Sequence, residues 1–83
     1  MSKIVYVVYD GDEWLSYTSL AVCGIFTSKR MAINAILKRE KEDQAKTKED
    51  RAQMRRQLEE WLQTQGYQRN YNVVAWETNL ISV

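Results

Sequence analysis

Asp10, Asp12 and Glu13 form a tight acidic group set around Gly11. Carboxylates at this density offer oxygen ligands to a hard divalent cation. A full calcium loop needs a longer ligand series closed by a glutamate, and that series is missing. The same residues read as a solvated hairpin turn, because Asp-Gly is strong turn chemistry. Cys23 is the single cysteine, and the chain has no histidine to act as its base. Cys23 sits inside an apolar, β-prone run, which predicts a small buried hydrophobe. Glu59, Glu60 and Glu77 are of the right type for acid–base work, but their spacing pairs none of them. The chain has no glycine-rich phosphate loop and no metal-ligand spacing. The expectation is therefore a protein that is not an enzyme, with no catalytic residue, cofactor or metal.

Charge and aromatic content point to surfaces. Net charge is +1, yet the stretch from Lys38 to Arg56 holds eight basic and five acidic residues, a local balance of +3. Lys46, Lys48, Arg51, Arg55 and Arg56 make segment 46–56 a candidate for nucleic-acid phosphates. The interleaved acids weaken that reading and favour a solvated helix face with i,i+4 pairs such as Arg55 and Glu59. Three Trp and five Tyr exceed what a small core needs. Trp14, Tyr17, Trp61, Tyr67, Tyr71 and Trp76 are the surplus. Base stacking on an open sheet face is one use for such residues, but the sequences typical of that class are absent. Core packing and a protein interface explain them more simply. Arginine mixed with aromatics is the composition of tight protein interfaces. The expected partner-binding residues are Arg51, Arg55, Arg56 and Trp61, with Tyr67 and Tyr71 beyond Gly66. In the plainer alternative Trp61 is core and only the arginines are exposed.

The elements that must position these residues follow from periodicity. Lys3 to Tyr9 alternates with both faces apolar, which suits a strand covered on both sides or a central strand with one aromatic-lined outer face. Asp10-Gly11 should break it. Tyr17 to Phe26 is a second strand, with Leu20, Val22 and Gly24 opposed to Ala21, Cys23 and Ile25, and the short connection makes the pair antiparallel. Ser28 is a good N-cap. Met31, Ala32, Ala35, Ile36 and Arg39 then share a helical face that Ile33 and Leu37 widen. From Lys38 to Asp50 only Ala45 is apolar, so this segment is either a solvated helical extension or a bridge, and it should open most readily. Thr47 caps a second helical start with acids in the first turn. Met54, Leu58, Trp61 and Leu62 form its stripe, and Gly66 is the expected stop. Asn72 to Thr78 is the last strand, with Leu80, Ile81 and Val83 after it. The class is α+β: a three-stranded antiparallel sheet in the order β-β-α-α-β, helices on one face. Fusion of the two helices into one projecting helix is the competing arrangement. Ile4, Val8, Leu20, Val22, Ile36, Leu58 and Val74 are expected in or near one core.

The strand-to-helix run Gly24, Ile25, Phe26, Thr27, Ser28, Lys29 and Ala32, with the closing strand from Asn72 to Thr78, resembles a group of small phage and bacterial proteins. These share a Gly-[Val/Ile]-Phe-[Ser/Thr]-[Ser/Thr]-[Lys/Arg]-x-x-Ala segment and carry no catalytic set. About half the chain is covered, and Thr47 to Gln65 lies outside the common pattern. The resemblance implies a phage or mobile-element accessory protein that binds a host protein, with inhibition of bacterial defence, in the manner of an anti-CRISPR protein, among the expected roles. At 83 residues the chain is one domain, 1–83. A chain of this size buries only roughly 60–65% of its unfolded surface, so a homodimer would add stability. No apolar run approaches the ~20 residues of a membrane span. The lone cysteine and the lack of a leader pattern place the expectation in the cytoplasm.

Overall fold

The computed structural model describes residues 3–77, so the expectations for Thr78, Leu80, Ile81 and Val83 lie outside the described residues. The order is β1 (Ile4–Gly11), a 3₁₀ turn (Tyr17–Ser19), β2 (Ala21–Phe26), α1 (Lys29–Glu40), α2 (Lys48–Trp61) and β3 (Asn70–Glu77). The sheet is antiparallel with β1 central, in the order β2-β1-β3. Both helix starts form as their caps dictate. Ser28 Oγ accepts from the Met31 amide at 3.1 Å, and Thr47 Oγ1 from the Asp50 amide at 3.1 Å. Each cap satisfies an otherwise orphaned donor.

Both helices pack on the sheet face that carries Val8, Tyr71 and Val73. Ala32, Ile33, Ile36 and Leu37 of α1, Met54 and Leu58 of α2, and Ala45 between them complete this core. The other face is uncovered by any helix among the described residues. Directly opposed residues in an antiparallel pair project to the same side. The register Val5↔Trp76, Val7↔Val74, Val7↔Ile25 and Tyr9↔Val22 therefore assembles seven apolar or aromatic side chains there. Of the two readings of β1, the strand with one open, aromatic-bearing face is the one that forms.

Several expected positions differ. Asp10 and Gly11 remain in β1, paired with Tyr71 and Asn70, because β3 extends the ladder to that point. Tyr17 to Ser19 is a helical turn, so β2 starts at Ala21. A bulge between Val8 and Tyr9 leaves Cys23 as the extra residue of β2. One extra residue reverses the alternation. Val22 therefore joins Ile25 on the open face, where strict alternation had opposed them. Val74, opposite Val7, is also on the open face, Ile4 is half exposed at the start of β1 and Leu20 lies outside the core, while Val8, Ile36 and Leu58 lie within it. Helix α2 stops at Trp61, short of the expected stop, since the left-handed cap is Leu62 (φ 56°) and not Gly66. The Leu62 amide bonds Leu58 O, and Leu62 O accepts from Val73 N at 2.7 Å. Pairing with β3 holds the strained residue in place.

The helices are two, not one. Between them Asp43 N and Ala45 N both donate to Glu40 O, at 3.0 and 2.9 Å. Arg51 Nη1 donates to Ala45 O and Lys46 O at 3.0 and 2.9 Å. The connection is thus tied down where the sequence offers almost no apolar contact. The Ala45 amide, on a fully buried residue, is expected to exchange as slowly as amides of Ile33–Leu37. Hydrogen exchange faster at Ala45 than at the exposed Lys46 would contradict this, because protection follows burial and bonding.

Candidate interaction surfaces

The acidic group does not converge. Asp10 pairs with Arg39 of α1 at 3.1 Å. Asp12 organises the β1–β2 loop. Its Oδ1 accepts from the amides of Trp14 and Ser16 at 3.0 Å each, and its Oδ2 from Ser16 Oγ at 2.7 Å. The Ser16 amide and hydroxyl hold the Asp12 carboxyl below its ordinary value. Glu13 is exposed. Each carboxylate serves a different end, and among the described residues no cluster of three metal-type ligands forms. Cys23 is exposed, not buried as expected, because it is the bulge residue of an edge strand. Partial desolvation and the charge of Asp10 push its thiol up, away from the reactive thiolate.

The strongest polar constellation is one the sequence reading missed. Glu40 is completely buried. Its Oε2 accepts from the Tyr71 hydroxyl and, at 3.3 Å, from Arg69 Nε. Its Oε1 accepts from the Gln44 amide and from Gln44 Nε2, each at 3.3 Å. Gln44 also brackets Arg69, donating to its carbonyl at 2.7 Å and accepting from its amide at 2.9 Å. Arg69 pairs in addition with Asp43. Burial pushes the Glu40 carboxyl up, but the Tyr71 hydroxyl, the Gln44 amide and the Arg69 charge together outweigh it and hold Glu40 below its ordinary value. Burial and Glu40 push the Tyr71 phenol well above its usual value. Every oxygen and nitrogen here finds a partner, with no buried side-chain polar atom unsatisfied among the described residues. A perturbed carboxylate can mark a reactive site. Here both carboxylate oxygens are engaged by protein donors that tie α1 to β3 and to the segment before it. The signal for it was present: Glu40 falls four residues after Ile36 on the buried stripe.

The six expected partner-binding residues do not share one surface. Tyr71 is 0% exposed and belongs to the core, a correction that its hydroxyl bond to Glu40 explains. Tyr67 is half-buried against the same core. Arg51 turns back onto the carbonyls of Ala45 and Lys46. Arg55 and Arg56, consecutive and so about 100° apart around the helix axis, serve different flanks of α2. Arg55 donates to Asn34 Oδ1 of α1 at 3.3 Å and lines a groove of about 550 Å³ with Lys29, Arg30, Ile33 and Glu59. Arg56 lines a groove of about 200 Å³ with Trp61 and Gln65.

Trp61 is 58% exposed, so the reading in which it is core does not hold. Trp14, in the β1–β2 loop, is 80% exposed and lines a groove of about 280 Å³ with Gln63, Thr64, Gln65 and Gly66. Gln65 lines both grooves, which joins the two tryptophans across the segment 63–66. That segment is fixed from two sides. Gln57 clamps Gln65 through its amide (3.0 Å) and carbonyl (3.3 Å). Thr64 bonds Tyr71 N and Asn70 Oδ1, each at 2.9 Å. Trp61 closes α2 just before this segment, and Trp14 borders it from the β1–β2 loop. No protein-family profile, curated protein or solved structure matches this chain. The functional reading therefore rests on surfaces. Among the described residues no helix is long and apolar enough to cross a membrane.

Proposed function

We propose that this chain is a non-enzymatic protein-binding module that engages its partner through Trp61, Trp14 and the intervening 63–66 segment, with Arg56 at the rim. The observation that carries the reading is two exposed tryptophans flanking one pinned segment and its paired grooves. Tryptophan and arginine are the residues most often found to dominate binding energy. The resemblance of residues 24–32 to small phage proteins supports a host protein as the partner, inhibited by occupation of its surface. A bacterial defence protein is the class that resemblance favours. A second reading, nucleic acid held by segment 46–56, draws support from the groove where Arg55 meets Lys29 and Arg30.

The test begins with tagged protein and the partner it captures from the host lysate. Trp61→Ala is expected to weaken that complex by about 30-fold, the ~2 kcal/mol typical of a hot spot. Trp14→Ala is expected to act in the same direction. The double reversal Arg55→Glu, Arg56→Glu should leave the fold intact, since exposed positions usually change stability by under ~0.5 kcal/mol. It should weaken binding less than loss of Trp61. Unchanged affinity in all three variants rules this surface out. Binding that collapses steeply with added salt transfers the assignment to nucleic acid.

A further inference from the structure

We infer that the open sheet face is where two copies of this chain meet, sheet against sheet. The face presents Val5, Val7 and Tyr9 of β1, Val22 and Ile25 of β2, and Val74 and Trp76 of β3. Asn72, opposite Tyr9, adds a polar but uncharged side chain. No charged side chain stands at these strand positions. Ile25 is 64%, Val22 57% and Trp76 52% exposed, while Val7 at the centre is 8% exposed. A sheet that faced water would alternate apolar with polar residues. This one is largely apolar on both faces, and the helices account for only one of them.

Three features select a second copy as the occupant. A two-fold interface must bring a patch against itself, which an uncharged face permits without burying like charges. Trp76 and Val22 stand at opposite corners of the face about Val7, so a two-fold axis lying between the sheets at Val7 can seat Trp76 of each copy over Val22 of the other. The area suffices: the face exposes on the order of 500 Å² per copy, hence about 1,000 Å² for the pair, the lower bound of a specific interface. Edge-to-edge association is disfavoured at both ends of the sheet. The Cys23 bulge interrupts the free edge of β2, and Leu62 to Thr64 pair along the start of β3. A face-to-face dimer leaves Trp14 and Trp61 outside, so it does not depend on the partner surface proposed above.

Sedimentation equilibrium of the full chain from about 1 to about 200 μM tests it, with a dimer of micromolar dissociation constant expected. Ile25→Lys introduces two lysines at the symmetric interface and should raise that constant by about 100-fold or more. Its far-UV circular dichroism should be unchanged. The double variant Trp14→Phe, Trp61→Phe leaves Trp76 as the only tryptophan reporter. Its emission should move to shorter wavelength as concentration rises through the dissociation constant. A monomer throughout the range, a dimer that survives Ile25→Lys, or a Trp76 emission independent of concentration overturns the inference. If Ile25→Lys is monomeric but still binds the captured partner, both proposals stand. If the wild type is monomeric and Trp61→Ala loses the partner, only the dimer falls.

Discussion

Replacing Glu40 with alanine is expected to cost about 3–5 kcal/mol, the scale for removing one partner of a buried, hydrogen-bonded charge pair. The Tyr71 hydroxyl would then be buried without an acceptor, a loss of about 1–3 kcal/mol by itself. Arg69 would lose one of its two carboxylates but keep Asp43 and its own contact with water. Total stability of a domain this size sits near the low end of about 5–15 kcal/mol, so the loss is a large fraction of it. At roughly 4–8 °C per kcal/mol, the midpoint should fall by at least about 12 °C. Asp43→Ala removes the exposed partner of the same arginine and should cost under about 1 kcal/mol. Urea unfolding of both variants decides the matter. Equal, small losses would mean that the Glu40 network does not hold the fold.

The same residue contributes to the acid limb of stability. Its folded pKa lies below the ordinary glutamate value of 4.5. A depressed carboxylate contributes stability that is fully present above the unfolded value and is lost as pH falls through the folded value. Urea midpoints should therefore hold from about pH 7 to about pH 5 and decline below about pH 4.5. Glu40→Gln removes the titrating group and should flatten that decline while lowering stability at neutral pH. An unaltered acid slope in the variant would assign the acid limb to other groups.

Leu58→Ala is the second large effect. Leu58 is fully buried beside Met54 and the α1 residues of the core. Truncation loses the transfer energy and leaves a cavity, about 2–5 kcal/mol together. Met31 makes the contrast. It also lies on a helical apolar stripe, but it is half exposed, and Met31→Ala should cost no more than about 0.5 kcal/mol. Thermal and urea denaturation of the pair separate true core positions from stripe positions that overhang it. Comparable losses would place Met31 in the core.

The contrast between Met31 and Leu58 shows how far periodicity reaches. An apolar stripe identifies a face, but how much of it is covered depends on where the neighbouring elements end. Trp61 is the clearest case. It continues the stripe of Met54 and Leu58, yet stands outside because α2 ends there and the chain turns at Leu62. Tyr71 errs in the other direction. An aromatic near a basic helix reads as surface, but the β1–β3 register turns it under α1 and onto Glu40. Of the surface proposed above, Trp61 and Arg56 can be named from the sequence, whereas the place of Trp14 beside the 63–66 segment depends on contacts between residues far apart in the chain.

Local chemistry fixed what lies within a few residues. The order of elements, the caps at Ser28 and Thr47, the antiparallel sheet and the second apolar face of β1 all follow from side chains that act on their own backbone or repeat at the period of their element. Tertiary structure decided the rest. The Cys23 bulge exists only against a partner strand, and it moved Val22 to the open face. Glu40 could be buried only because Tyr71 and Arg69, about thirty residues away, bring donors to it. A lone glutamate prefers water; a carboxylate whose oxygens are all engaged can replace an apolar residue in a core.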